Sequence, residues 1–307
     1  AGKTETISQG ADVANPKLWS VDSPNLYWVR TEIIQNGKVV DRTDSRFGIR
    51  YIATNPNSGF YLNGVHTKLN GVCEHSDLGS LGMETYQAAV DRRIRTLKKY
   101  GVNAIRTSHN PVSPEFIEAC DRLGMLVFEE AFDQWLYSKN SDDYHNYFNK
   151  AADGKTVVFD KAGNDNTNND TSYIEVKRED LQSNAERDIK AMVDRDKNAP
   201  CIFAWSTGNE IYDARYKHGE NTLDMLTGWI KEIDTTRPVA ACPPTWDNYW
   251  ANNAQQEKHL AKAEMSGFNY ATGQYDGAHS RYPNMVIFGS ETVSAYSVSY
   301  THLRAHE

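Results

Sequence analysis

The chain has no excess of basic residues: its 33 Lys and Arg are outnumbered by 41 Asp and Glu. A surface without net positive charge cannot displace the counterions of a polyanion, which excludes nucleic acid as a partner. No apolar run approaches the roughly 20 residues that a membrane-spanning helix needs, so no membrane association through such a helix is expected. The four cysteines, Cys73, Cys120, Cys201 and Cys242, lack the paired spacing of a zinc finger. Most adjoin apolar runs and read as buried, unpaired thiols. What the chain does have is 39% hydrophobic residues over 307 positions, enough for a sizeable core. Its 7 Trp and 17 Tyr suit a cleft in which flat rings stack on sugar faces, although any single aromatic is more commonly a packing residue.

Residues 26 to 52 carry strand patterning. Leu26-Tyr27-Trp28-Val29 and Glu32-Ile33-Ile34 precede the turn Asn36-Gly37, and Val39-Val40 and Phe47-Gly48-Ile49-Arg50 follow it. This predicts a hairpin and one further strand, too few for a stable sandwich, so residues 1–54 read as the end of a β domain. The turn-rich Asn55-Pro56-Asn57-Ser58-Gly59 is expected to mark the boundary. Beyond it strands and helices alternate. Helices are predicted near 84–100, 114–123, 176–195 and 221–234, with strands at 103–106, 125–128, 201–206, 238–242, 265–268 and 285–289. Such alternation implies a parallel sheet, and the number of units favours a (β/α) barrel. Residues 150–172, with Asn164-Asp165-Asn166-Thr167-Asn168-Asn169-Asp170, are too polar to pack and read as an exposed insertion. The tail 298–307 resembles a translated sequencing adapter and is set aside as non-native.

In a barrel of this kind the reactive groups sit at the C-terminal ends of strands. Ile202-Phe203-Ala204-Trp205-Ser206 runs into Thr207-Gly208-Asn209-Glu210, and Val286-Ile287-Phe288-Gly289-Ser290 runs into Glu291. Two carboxylates thus reach one rim from different strands. Glycoside cleavage needs such a pair, one protonated to release the leaving oxygen and one ionised. Periodicity alone leaves open that each is a surface glutamate.

Five ordered motifs narrow the choice: Arg106-Thr107-Ser108-His109-Asn110-Pro111, Cys120-Asp121-Arg122-Leu123-Gly124, Arg195-Asp196-Lys197-Asn198 with Trp205-Ser206-Thr207-Gly208-Asn209-Glu210, Gly267-Phe268-Asn269-Tyr270, and Gly289-Ser290-Glu291-Thr292. Together they resemble glycoside hydrolase family 2, which contains β-galactosidases, β-glucuronidases and β-mannosidases, over residues 15 to 297. The resemblance implies a jelly roll, an immunoglobulin-like sandwich and a catalytic barrel. Residues 1–54 would be the end of the sandwich, and 55–297 a (β/α)8 TIM barrel lacking its last unit. A parallel barrel short of one unit is expected to leave an open gap between its first and last strands. Gly71-Val72-Cys73-Glu74-His75-Ser76-Asp77-Leu78-Gly79 and Ser290-Glu291-Thr292-Val293-Ser294-Ala295 are most similar to β-galactosidases of the family. A soluble bacterial enzyme is implied, cytoplasmic, periplasmic or secreted, and its parent's oligomeric state is open, a homo-oligomer included.

By the same resemblance Glu210 is the general acid/base and Glu291 the nucleophile of a retaining mechanism, whose two environments must keep one carboxyl protonated and the other ionised. Asn209 would contact the sugar 2-hydroxyl, Tyr270 would hydrogen-bond the nucleophile, and His109 would touch the sugar. Arg106 would keep Glu291 ionised, with a purely structural ion pair as its competitor. Asp133 and Trp135, just after the strand ending Glu129-Glu130, are candidates to bind a hydroxyl and stack on the ring. Glu130 reads as a buried hydrogen-bonding partner. His75 and Asp77 would suit a metal only with a third ligand at a sensible spacing, so structural roles are preferred. No cofactor is required, and a cation is neither indicated nor excluded. The competing readings are an endo-acting two-glutamate barrel enzyme, such as a cellulase or mannanase, and an inactive carbohydrate-binding fragment.

Overall fold

The computed structural model describes residues 2–135, 184–215, 217–244, 254–293 and 301–302. The insertion at 150–172 and the start of the helix predicted from 176 lie outside these residues. The first element is a hairpin, β1 (Tyr27–Gln35) and β2 (Lys38–Phe47). Asn36 and Gly37 both take positive φ (52° and 76°), the conformation of a tight turn whose twist matches its strands. No separate third strand follows, because Phe47 is the last residue of β2, paired with Tyr27, and 48–50 leave the ladder. The stretch 55–59 is a hairpin turn, with the Asn55 side chain accepting from the backbone N–H groups of Asn57 and Ser58. It joins β3 (Ile52–Asn55) to β4 (Gly59–Leu62), which pairs in turn with β5 (Val65–His66). Phe60 of this small sheet meets Phe203 edge-on at 5.3 Å, and Phe203 stacks on Phe128. Phe203 is the second residue of its strand, so the little sheet plugs the N-terminal end of the barrel.

The barrel is built from seven parallel strands in sequence order: β6 (Asn70–His75), β7 (Ala104–Ser108), β8 (Leu126–Glu130), β9 (Ile202–Asn209), β10 (Val239–Cys242), β11 (Met265–Asn269) and β12 (Ile287–Glu291). Between them lie α1 (Gln87–Lys99), α2 (Pro114–Leu123), α3 (Asn184–Asp196), α4 (Lys217–Lys231), α5 (Ala254–Lys262) and α6 (Tyr275–Arg281). Helix α1 buries Val90, Ile94 and Leu97 on one stripe. It ends in paired bonds, Val102 N–H to Leu97 O and Gly101 N–H to Lys98 O, with Gly101 left-handed. Helix α2 starts at Ser113, whose hydroxyl accepts from Phe116 N–H, carries Pro114 in its first turn and stops at left-handed Gly124.

The expected gap is narrowed at both ends. Cys73 Sγ on β6 donates to Ser290 O on β12 at 3.3 Å. Two residues of the tail, Thr301–His302, form β13, which pairs antiparallel with Gly71 and Asn70 of β6 and also touches β12. Helices α5 and α6 were not legible in the sequence. Helix α5 is mostly polar and buries only a few side chains, including Leu260, Gln256 and His259; α6 is two turns long with Gly277 near its centre.

Candidate active site

All the parallel strands present their C-terminal ends on one rim, and the polar residues gather there. Arg106, the third residue of β7, is 4% exposed, and all three of its nitrogens have partners. Nε and Nη2 donate to both oxygens of Glu130 at 2.8–3.2 Å, and Nη2 donates also to Asn209 Oδ1 at 2.9 Å. Nη1 donates to Glu291 Oε1 at 2.6 Å. Such a fork fixes the planes of two carboxylates relative to one cation. Burial opposes the Arg106 charge, but the facing Glu130 and Glu291 outweigh it and raise its pKa.

Glu130 is wholly buried at the end of β8. Burial alone would raise its carboxyl, yet Arg106, His109 Nδ1 at 2.7 Å and Ser206 Oγ at 2.7 Å hold it below the usual carboxylate range. An ionised carboxylate against Nδ1 requires that nitrogen to carry the hydrogen, which turns Nε2 toward Glu291 Oε1 at 3.5 Å. His75 packs edge-on against the His109 ring at 5.2 Å, and burial and that neighbour lower its pKa.

Glu291 closes β12, and its second oxygen accepts from Tyr270 Oη at 2.6 Å. Burial and then this bond raise the Tyr270 phenol, which stays a donor through the ordinary pH range. Glu210 follows the last residue of β9 and receives Asn269 Nδ2 at 3.4 Å. The same amide donates to Asn209 Oδ1 at 3.2 Å, while Ser290 Oγ donates to Asn269 Oδ1 at 2.6 Å. Asn209 Nδ2 donates to Asp133 Oδ1 at 3.1 Å. Glu210 and Tyr270 both have positive φ, 46° and 54°, and each directly follows an Asn that ends a strand. Left-handed backbone after a strand turns the next side chain back over the barrel mouth, a cost that non-glycine residues bear mainly at functional positions.

Seven of the eight residues singled out in the sequence thus share one network: Glu210, Glu291, Asn209, Tyr270, His109, Arg106 and Asp133. Trp135 is placed elsewhere. It is fully buried, donates Nε1 to Thr207 O at 2.8 Å and lies against the His259 ring, so in this structure it braces β9 and presents no face to a sugar. Asn269, Ser206 and Ser290 were missed. Asn269 offered one signal, since Asn269-Tyr270 repeats the strand-ending pattern of Asn209-Glu210. Among the described residues no group of three His, Cys, Asp or Glu is placed to hold a metal ion.

Residues 54–261 match the model for the glycosyl hydrolases family 2 TIM barrel domain, and residues 1–50 match a second model described as glycosyl hydrolases family 2. The chain belongs to glycoside hydrolase family 2. Its relatives in this family include a β-galactosidase from Bacteroides ovatus, 31% identical over 96% of this chain and 34% of its own length. A putative β-glucuronidase from Formosa agariphila is 37% identical over 74% of this chain and 18% of its own. Among solved structures, a family 2 member from Bacteroides cellulosilyticus matches with a TM-score of 0.75 and 36% identity, over 91% of this chain and 31% of that one. The chain therefore spans about a third or less of the length of these three proteins.

Proposed function

We propose that the protein carrying this chain is a retaining glycoside hydrolase that removes terminal β-linked sugars, with Glu291 as nucleophile and Glu210 as acid/base. The observation that carries the reading is the delivery of two carboxyl groups to one barrel mouth by β9 and β12, with Glu291 held by two strong donors. Glu291 is gripped by a buried guanidinium and a phenol, both donors, as a group that must be anionic would be. Glu210 reaches the same mouth from the end of β9 and accepts from Asn269 Nδ2. In the first step Glu291 attacks the anomeric carbon as Glu210 gives its proton to the departing oxygen. In the second Glu210 takes a proton from water, which displaces Glu291 and restores the β configuration. The retaining geometry expects carboxyl groups about 5 to 5.5 Å apart.

Within the family β-galactosides are the substrate class we infer first, because a β-galactosidase relative aligns with nearly the whole chain. β-Glucuronides are the second reading, favoured by the 37% identity of a putative β-glucuronidase over three quarters of it. β-Mannosides stay as a third member of the set. A panel of aryl β-glycosides on the full-length protein, followed by NMR of the first-formed anomer, tests both levels. Turnover of the galactoside with the β-anomer appearing first is expected. The α-anomer first would overturn retention, and preference for the glucuronide would move the substrate to the second reading.

A further inference from the structure

We propose that Glu130 is a positioning residue that tunes the reactivity of Glu291 by competing with it for the charge of Arg106. The inference rests on the reading of Glu291 as nucleophile. Arg106 donates to both carboxylates, and the division is unequal. Glu130 takes Nε and Nη2 through three contacts, leaving Nη1 for Glu291. The guanidinium offers Glu291 a hydrogen bond that fixes its plane, while most of the positive charge is already balanced from the far side. A carboxylate facing an uncompensated buried guanidinium would be a better anion and a poorer nucleophile, since strong stabilisation of the ground state is lost when the negative charge passes into the bond to carbon. Glu130 prevents that. It also accepts from His109 Nδ1, whose Nε2 lies 3.5 Å from Glu291 Oε1, so the same ring lies between the two carboxylates.

The groups that face this pair from each packed element are few. Cys73 on β6 lies near Arg106 and Glu291, and His75 follows it at the rim. Ser206 and Asn209 come from β9, and Cys242, whose thiol burial pushes up to about 12, comes from β10. Tyr270 and, beyond it, Glu210 complete the set, with Asp133 on the far side of Asn209. His109 on the loop after β7 lies against both carboxylates, and Arg106 is the guanidinium they share, so the allocation of its charge between Glu130 and Glu291 is decided by those two carboxylates and by what donates to them. Ser206 donates to Glu130 and spreads part of its charge.

The test is the acid limb of kcat/KM against pH, read on a dinitrophenyl β-glycoside with the full-length protein. Glu130→Gln frees Arg106 for Glu291 and should move the limb down by about one pH unit, with turnover at the optimum at least about tenfold lower. Glu130→Asp keeps the charge and should leave the limb in place. Ser206→Ala, a milder change that keeps Glu130 intact, concentrates charge on Glu130 and should move the limb up by a few tenths of a unit. A purely structural Glu130 would lower the active fraction in each variant without moving the limb. A folded Glu130→Gln protein with an unmoved limb overturns the proposal. Should that variant not fold, an unmoved or lowered limb in Ser206→Ala overturns it. Trapping the wild type with a 2-deoxy-2-fluoro glycoside keeps the two readings apart. A label on Glu291 with unmoved limbs sinks only the tuning, and a label on another residue sinks the assignment of the nucleophile beneath it.

Discussion

At the scale of single residues, the two glutamates differ in what their removal should cost. Glu291→Ala deletes the atom that bonds to the sugar and should abolish nearly all turnover on every substrate. Glu210→Ala should spare a dinitrophenyl glycoside, whose leaving group needs no proton, while losing alkyl glycosides by about a hundredfold or more. Added azide should rescue the two variants as glycosyl azides of opposite configuration. Equal loss on both leaving groups would remove Glu210 from the role of acid. Tyr270→Phe takes one of two gripping donors from Glu291. It should lower kcat by roughly ten- to a hundredfold with KM little changed, in the range of a removed preorganised donor. Steady-state kinetics on the full-length protein would show it, and a change confined to KM would make Tyr270 a sugar contact instead.

At the scale of elements, one polar knot ties the loop between α4 and β10 back to β9. Asp234 accepts from Arg237 Nη1, from Trp205 Nε1 and from both the N–H and hydroxyl of Thr236, while Arg237 reaches back to the carbonyls of Ala199 and Ile202. Burial opposes the Asp234 charge, yet these donors bring its pKa down to about 2. A depressed folded value means stabilisation that is complete above the unfolded carboxylate range and is lost as pH falls toward 2. Asp234→Asn should therefore cost roughly 2 kcal/mol at neutral pH, with the deficit shrinking between about pH 4 and 2. Urea unfolding of both proteins across that range checks it, and a deficit independent of pH would assign the effect to packing. Gly124→Ala is a sharper case. A Cβ there would stand 2.2 Å from Val21 O at φ 73°, so the loss should exceed about 2 kcal/mol by the same measurement.

Helix α2 was legible to the residue, because Ser113, Pro114 and Gly124 are local signals that need nothing from the rest of the chain. The strand-end placement of Glu210 and Glu291 was legible for a similar reason, each standing after a short apolar run, while their choice as a pair came from the family motifs. What escaped the sequence depended on distant partners. The burial of Trp135 is set by Thr207 on β9 and His259 on α5, and a chain position after a strand carries no record of them. The turn at 55–59 has the composition of a linker, and only the pairing of β3 with β4 distinguishes the two.

At the scale of the whole molecule, the β1–β2 ribbon stands out. Trp28, Ile33, Ile34, Val39 and Val40 are each more than half exposed, so both of its faces show apolar side chains to water. Two paired strands are marginal by themselves, and exposed ribbons of this kind template association. The 307-residue chain alone should scatter light in a concentration-dependent way. Ile34→Lys with Val39→Lys, opposite each other in the ladder, should suppress it without lowering the melting temperature of the barrel. Unchanged scattering would place the sticky surface elsewhere. The seam between β12 and β6 has a different consequence. Among the described residues the backbone ladder of β12 runs to β11 alone, and toward β6 it has the Cys73 sulfur and a two-residue strand. The strand that carries Glu291 is thus the least anchored of the seven. On warming, failure should come in sequence: first the alignment of Glu291 with Arg106, then the barrel itself, so that a preparation still folded by every bulk measure has already fallen silent.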